Sequence, residues 1–451
     1  MEQKNFIPLI ASLFLVVLAL LSWNITPLFL SIMLILSFVL FIYLPMIGIF
    51  FLLILSITFF YFIEPLSTPY IRVLGLYIHM LYISITVGTI LAIIKITKRK
   101  EKIVFLKQFL VLFIVLFICS FINLLLGNIG YGGFLVILQT VLVPYLLYFI
   151  FVGFIDSKER LNTMIKLVFI IMILAFSIQL IELTRGEKFD FGLSNDFINE
   201  NFKVPGTDDN YVPIRSHSYT FLALFLSVGL FLERKDKKHI VLGIIAALAF
   251  ILSLTRQWLV YIAFGVFVII LLDKKLSDIK KLFSLFITFL VIFLILSVLI
   301  STFTTYPLGN VLKERYLTLL NPSGEGTYMD RVDRRDVQWD IIKTSPLIGS
   351  TNYLDNDVHT GYVNILTLFG IFGLIAVLYL FFAVFFRTLY LKKILLKGSL
   401  ERGYILGILG VLAGILFATF FWWEFFMKTR EISMIMVTMA IVDRIYFFNK
   451  K

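Results

Sequence analysis

The sequence predicts an all-α polytopic membrane protein with about 12–14 transmembrane helices. Of its 451 residues, 60% are hydrophobic and only 15% are charged. The apolar residues fall in runs of about 17 to 25, the length that crosses a hydrocarbon core. These runs are rich in Leu, Ile and Phe and lack the period-2 alternation of a membrane β-barrel. Because a spanning backbone must satisfy its own hydrogen bonds, the runs are predicted to be helices.

Fourteen apolar runs are candidate spans, and twelve is the lower count that we consider. The first run has no small-x-small cleavage site after it, which indicates a retained span rather than a removed signal peptide. In a late run, Gly410 and Gly414 form a small-xxx-small pair that favours close approach of two helices. The predicted spans are residues 6–22, 27–43, 46–62, 72–94, 103–126, 134–155, 162–183, 217–232, 239–254, 257–272, 282–302, 358–386, 404–423 and 432–446.

Short basic connectors indicate the orientation of these spans. When sides alternate from a cytoplasmic N-terminus, every basic connector falls inside, as the positive-inside rule expects, and both termini are cytoplasmic. The net charge of +12 is then explained by topology rather than by nucleic-acid binding. The connectors are Lys95–Lys102, Asp156–Arg160, Glu233–Lys238, Asp273–Lys281 and Arg387–Arg402.

The same alternation places two long loops on the outer face. Loops of this length that have no secondary structure are usually functional or disordered. The five predicted segments are N-terminal transmembrane helices at 1–183, a first outer loop at 184–216, central transmembrane helices at 217–302, a second outer loop at 303–357 and C-terminal transmembrane helices at 358–451.

The second outer loop contains a predicted amphipathic helix near residues 328–343. Thr327 can cap it with Asp330 at the third position, and no glycine or proline follows until Pro346. One face of this helix combines an arginine with apolar residues, so a cation is expected on the apolar side. By helical spacing that face carries Val332, Arg335, Trp339 and Ile342.

Polar residues at three predicted outer ends of spans are candidate site residues. Arg256 joins two apolar runs almost without a connector, so it either snorkels to the headgroups beside Trp258 or faces an anionic ligand. His359 opens the span after the second loop and is either a satisfied polar residue or a catalytic imidazole. Arg215 and His217 form a second candidate polar site.

The loop helix supplies a further group of arginines. Its charged run, residues 330–336, fits a solvated helix face with ion pairs between successive turns. Alternatively, Arg331 and Arg335, which are one turn apart, could join Arg256 and Arg215 in binding phosphate oxygens, because the guanidinium fork binds such oxygens in a bidentate manner.

No metal or cofactor is expected. The D-x-D triplet at residues 355–357 is too short a match to indicate a metal site by itself. The single cysteine, Cys119, excludes an intrachain disulfide and a cysteine-based metal cluster. Phosphate-binding glycine loops, zinc-ligand spacings and nucleophile-elbow triads are absent from the sequence.

Several of these segments occur in an order that resembles a known family. They are residues 253–256 (SLTR), 335–339 (RDVQW), 345–349 (SPLIG), 359–362 (HTGY) and 370–374 (GIFGL). This order, with the long loop, is similar to the O-antigen ligase and O-antigen or capsule polymerase superfamily of bacterial membrane glycosyltransferases. The chain departs from that pattern at Thr360, where the family commonly has asparagine, and in the short stretch from Trp339 to Pro346.

The resemblance implies metal-independent transfer of an undecaprenyl-diphosphate-linked glycan at the outer face of the bacterial inner membrane. It implies that His359 activates the acceptor hydroxyl and that Arg335 and Arg256 stabilise the departing diphosphate. The substrate would contact Arg215, His217, Arg331, Arg334, Trp339 and Tyr362. Implied partners are the bilayer, a glycan or lipid-linked acceptor, and chain-length regulator and flippase proteins.

Three functions remain open from the sequence. Polymerisation of lipid-linked repeat units is preferred, and ligation of the glycan to a lipid A core or another acceptor is second. A flippase or exporter for the same glycan is a third, but it would be expected to carry charged residues in the middle of several spans, where the sequence has few.

Overall fold

The structure is a computed structural model that describes most of the predicted helical segments. The described residues are 11–12, 14–15, 26–58, 71–73, 76–78, 80–185, 217–252, 256–273, 337–350, 361–421 and 429–450. The helices are α1 (Thr26–Tyr43), α2 (Pro45–Thr58), α3 (Met80–Arg99), α4 (Leu106–Leu125), α5 (Tyr131–Phe154), α6 (Lys158–Arg185), α7 (His217–Arg234), α8 (Lys237–Leu252), α9 (Arg256–Asp273), α10 (residues 337–344), α11 (Gly361–Ile394), α12 (Leu400–Phe421) and α13 (Thr429–Asn449).

Six helices in the described part of the chain are long and apolar enough to cross a membrane. They lie within α3, α4, α5, α6, α11 and α12. The predicted class, a helical multi-pass membrane protein, is confirmed at this level, whereas the higher span count stays a prediction. The predicted span 282–302 and most of the span 6–22 lie outside the described residues.

The start of the fourth predicted span is wrong. We expected a helix from residue 72, but β1 (Ile71–Val73) pairs antiparallel with β2 (Leu76–Ile78), and α3 begins only at Met80. Hydropathy does not separate these states, because a short apolar strand and a helix end look alike in a hydrophobic run. Apart from this hairpin, the described elements are helical.

The first compact unit comprises the described residues within Met1–Leu167, Arg334–Val384 and Trp423–Lys451. In it, α3 packs closely on the last turns of α5. A Cβ atom at Gly153 would lie 2.7 Å from the Cβ of Ala92 and 3.0 Å from its carbonyl oxygen. Phe154 stacks on Phe41 of α1, with ring centroids 5.3 Å apart. Small residues thus allow these apolar helices to approach closely.

The second unit comprises the described residues within Val168–Asp333 and Phe385–Trp422. Here α12 packs against α7 and α9 through glycines. A Cβ atom at Gly410 would lie 2.5 Å from Phe225, and one at Gly414 would lie 3.1 Å from the carbonyl oxygen of Tyr261. The predicted close approach at this glycine pair is confirmed.

Candidate functional site

Helix α11 is broken at Gly370, and the segment after α10 fills the break. Gly370 has φ 62° and ψ −164°, a conformation that is essentially restricted to glycine. The break leaves backbone N–H groups without helical acceptors. Ile371 donates its N–H to the carbonyl oxygen of Pro346 at 2.9 Å, and Phe372 donates to that of Leu347 at 3.2 Å. The turn at residues 345–349 therefore supplies the acceptors that the helix lacks.

The same turn is fixed at its other end. Gly349, with φ 74°, donates its N–H to Ser345 at 3.0 Å, and Ser350 donates to the carbonyl oxygen of Thr367 at 2.9 Å. A Cβ atom at either Gly349 or Gly370 would overlap the opposing backbone. Two segments on which the family resemblance rests, SPLIG and GIFGL, are thus in direct backbone contact. We call this arrangement the backbone clamp.

A buried pair of amide side chains joins α10 to the start of α11. Gln338 donates from Nε2 to Oδ1 of Asn364 at 2.8 Å. The two residues are only 1% and 3% exposed. Because a buried amide is costly unless it is hydrogen-bonded, this bond fixes the face that α10 turns toward α11.

Asn123, near the end of α4, also binds the turn at residues 345–349. Its side-chain amide donates from Nδ2 to the carbonyl oxygen of Ile348 at 2.9 Å, and its Oδ1 accepts a 2.8 Å bond from Nδ2 of Asn128. Asn123 is 2% exposed. Sequence reasoning missed it, although a lone asparagine near the end of an apolar run is a recognisable signal of a helix–helix contact.

Only some of the sequence-predicted site residues lie within the described part of the chain. Trp339 lies in α10 and is 42% exposed, and Tyr362 lies in the first turn of α11 and is buried. Arg256 and His217 begin α9 and α7, but their side chains lie outside the described residues. Also outside them are Arg215, Arg331, Arg334, Arg335 and His359.

The predicted apolar face of the loop helix needs a correction. Ile342 is buried as expected, but Trp339, predicted on the same face, is 42% exposed, and Gln338 takes the buried position in that turn. Hydrophobicity alone predicted that Trp339, rather than Gln338, would be buried. The partner amide of Asn364 explains why a polar residue is buried instead.

A network of buried charges forms a second polar centre in the first unit. In α13, Asp443 and Arg444 are both 0% exposed. Arg444 contacts Oδ1 of Asp443 at 2.7 Å and Oε2 of Glu101 at 2.8 Å. Oδ2 of Asp443 accepts bonds from the Tyr148 hydroxyl at 2.6 Å and from the Val104 N–H at 2.8 Å. The carboxylate and the guanidinium are thus paired, as buried charges must be.

A neighbouring set of ion pairs continues from Glu101. Arg99 lies 3.6 Å from Glu101 and donates to Oδ2 of Asp156 at 2.8 Å, and Arg160 contacts the same oxygen at 2.7 Å. From the sequence, these residues were predicted only as parts of basic connectors, and no role was predicted for Asp443 and Arg444. Two adjacent charges inside the last apolar run were the signal available.

No metal centre is found within the described residues, where no group of three or more His, Cys, Asp or Glu side chains could hold an ion. The D-x-D triplet at 355–357 lies outside this part of the chain. The expectation of a metal-free reaction therefore remains a prediction.

The described site consists of the backbone clamp and its flanking amides, within a helical architecture typical of multi-pass membrane proteins. No protein-family model matches this chain, and no curated protein sequence matches it.

Proposed function

We propose that the protein is a membrane glycosyltransferase that polymerises undecaprenyl-diphosphate-linked oligosaccharide repeat units on the outer face of the bacterial inner membrane. The observation that carries the proposal is the backbone clamp. It joins two segments, SPLIG and GIFGL, that resemble the polymerase and ligase superfamily. The bonded residues Leu347 and Phe372 of these segments are 25 positions apart.

Chain length supports a common site for Arg335 and His359. Arg335 is three residues before Gln338, and His359 is five residues before Asn364. A residue adds at most about 3.6 Å to an extended chain, so the Cα of Arg335 is within about 11 Å of that of Gln338, and the Cα of His359 within about 18 Å of that of Asn364. Since the two amides are hydrogen-bonded at 2.8 Å, we propose a common site for Arg335 and His359 in the neighbourhood of this contact.

The proposed reaction is displacement at the anomeric carbon of the donor. The acceptor sugar hydroxyl attacks that carbon, the bond from the carbon to the diphosphate oxygen breaks, and the lipid diphosphate leaves with the bonding pair. His359 takes the hydroxyl proton, since imidazole is suited to proton transfer near neutral pH. Arg335 stabilises the charge that grows on the diphosphate. Arg256 enters this proposal through the sequence resemblance alone.

Ligation to a lipid A core or another acceptor uses the same donor and the same chemistry, so it is the alternative within this class. Transport of the lipid-linked glycan is less well supported. Broken helices of transporters present free backbone groups to their substrates, whereas at Gly370 the N–H groups of Ile371 and Phe372 are bound to Pro346 and Leu347.

The test is chain growth by the purified full-length protein in lipid nanodiscs supplied with a lipid-linked repeat unit. We expect longer lipid-linked glycans with wild-type protein. His359→Ala should lower the transfer rate by about 10²- to 10⁴-fold if it acts as general base. Arg335→Lys should lose much of the activity, because lysine keeps the charge but not the bidentate fork.

A matched control is Lys343→Gln, which removes an exposed cation from α10. Its ammonium pairs with Asp340 at 2.8 Å, and this hydrogen bond raises the pKa of Lys343. The transfer activity of Lys343→Gln should stay near that of the wild type. Absence of chain growth by wild-type protein, with transfer to a lipid A core acceptor instead, would favour ligation. Absence of both, with glycan translocation across vesicles, would favour transport.

A further inference from the structure

We infer that Gln338 and Asn364 are positioning residues that align the proposed catalytic groups, an inference that rests on the function proposed above. The Nε2 of Gln338 and the Oδ1 of Asn364 lie 2.8 Å apart. The two residues are 26 positions apart in the sequence, and the predicted second outer loop ends between them. The bond therefore ties together the first turns of α10 and α11.

The direction of this bond matters more than its strength. A buried hydrogen bond adds only about 0.5–1.5 kcal/mol to stability, and two apolar side chains of similar size could fill the same space. A hydrogen bond, unlike apolar packing, is satisfied in only a narrow range of angles. The pair thus sets the rotation of α10 about its own axis relative to α11.

Other contacts hold the segment in place without this pair. The turn that follows α10 is attached through the bonds from Ile371, Phe372 and Ser350, and Asn123 binds the carbonyl oxygen of Ile348 at 2.9 Å. Loss of the amide pair should therefore leave α10 attached and folded. We expect the orientation of α10 relative to α11 to change instead.

Of the proposed catalytic groups, Arg335 precedes α10 and His359 precedes α11. Arg335 lies three residues before Gln338, and His359 lies five residues before Asn364. A misplacement of about 1 Å at a reacting centre can lower a rate by about 10²-fold. A change of one methylene group in either amide should produce an error of this size.

The experiment is an exchange of amide lengths across the pair. Gln338→Asn shortens one partner by a methylene group, Asn364→Gln lengthens the other, and the double variant restores the summed length. We expect each single variant to lower kcat by about 10²-fold, with KM for the lipid-linked repeat unit changed far less. The double variant should recover most of kcat. Melting temperature is measured for each protein in nanodiscs, and two independent single variants keep the test decisive if one folds poorly.

The matched control is Asp340→Asn on the same helix. It alters the 2.8 Å bond between Asp340 and Lys343, whose side chains are 77% and 74% exposed and do not join α10 to α11, so kcat should not change. Single variants with wild-type kcat, or a double variant no faster than either single one, would overturn the positioning role while leaving the glycosyltransferase proposal intact. An inactive wild type would overturn both.

Discussion

The Tyr148 hydroxyl donates a 2.6 Å hydrogen bond to Oδ2 of Asp443, although 295 positions separate the two residues. The same oxygen accepts the Val104 N–H, and Arg444 binds the other carboxylate oxygen together with Glu101. This network joins α5, the connector after α3 and the final helix. Within the described residues, it links α13 to the rest of the first unit through buried polar contacts.

Removal of one charge from this network should destabilise the protein strongly. Asp443→Ala leaves Arg444, which is 0% exposed, with only one carboxylate, and breaking a buried pair typically costs about 3–5 kcal/mol. Tyr148→Phe removes one hydrogen bond to a charged group and should cost about 1.5–3 kcal/mol. The measurement is thermal or denaturant unfolding in detergent, with the exposed Lys343→Ala as a control that changes little. Equal stability of Asp443→Ala and Lys343→Ala would contradict this role.

The helices could be predicted from the sequence because the bilayer imposes a length on each apolar run. Predicted spans such as 103–126 and 404–423 agree with α4 (Leu106–Leu125) and α12 (Leu400–Phe421) within a few residues. Errors occur at ends that hydropathy does not determine. Helix α11 continues to Ile394, beyond the predicted end at 386, since no glycine or proline interrupts the chain before Gly398.

The site could be predicted only in part, because its geometry depends on partners distant in sequence. The glycine-rich and Pro-Leu-x-Gly segments were recognised, but not that Ile371 would bind Pro346. Gln338 was missed for the same reason: its burial depends on Asn364, which periodicity does not reveal. Asp443 and Arg444 could be recognised in the sequence as charges inside an apolar run. Their burial is explained only by the contacts with Glu101 and Tyr148, which are distant in sequence.

Glycine at position 407 should be essential for packing in the second unit. A Cβ atom there would lie 2.5 Å from the Phe225 carbonyl oxygen and 2.8 Å from the Leu226 Cα. Both are backbone atoms of a helix, so a shift that relieves the overlap would cost more free energy than rotation of a side chain. Gly407→Ala should therefore lower stability by about 1–3 kcal/mol, the usual cost of overpacking. The control is Gly132→Ala, where nothing lies within 4 Å of the added methyl group. Similar melting temperatures for both variants would argue against the close contact.

Substitution of Gly370 should release the turn at residues 345–349. Alanine at this position would combine an unfavourable φ of 62° with overlap of the backbone at Leu347 and Ile348. We expect loss of stability by more than the roughly 1–3 kcal/mol of backbone strain alone, together with loss of transfer activity. Gly127→Ala separates the two causes, since Gly127 has φ 73° but open space around it. If both variants lose the same stability and Gly370→Ala keeps full activity, the clamp does not support the site.

The predicted orientation can be tested without any assay of activity. In a Cys119→Ser background, single cysteines at Ser194 and Ser323 fall in the two predicted outer loops, which are exempt from the positive-inside rule because of their length. Both should react with an impermeant thiol reagent in intact right-side-out inner-membrane vesicles. A cysteine at Lys235, in a basic connector, should be protected until the vesicles are opened. The reverse pattern of labelling would invert the topology.

Transfer should continue without a divalent metal. The reaction needs stabilisation of a diphosphate leaving group, and guanidinium groups can provide it through charge-assisted bidentate bonds in place of a metal ion. Excess chelator should leave chain growth essentially unchanged, and Asp357→Asn, which removes one carboxylate of the D-x-D triplet, should have a mild effect. Arg335→Lys in the same assay should be far more damaging, since it removes the bidentate fork and keeps the charge. Abolition of chain growth by chelator, with recovery on addition of magnesium or manganese, would instead assign the electrostatic role to a metal and make the acidic triplet its first candidate ligand.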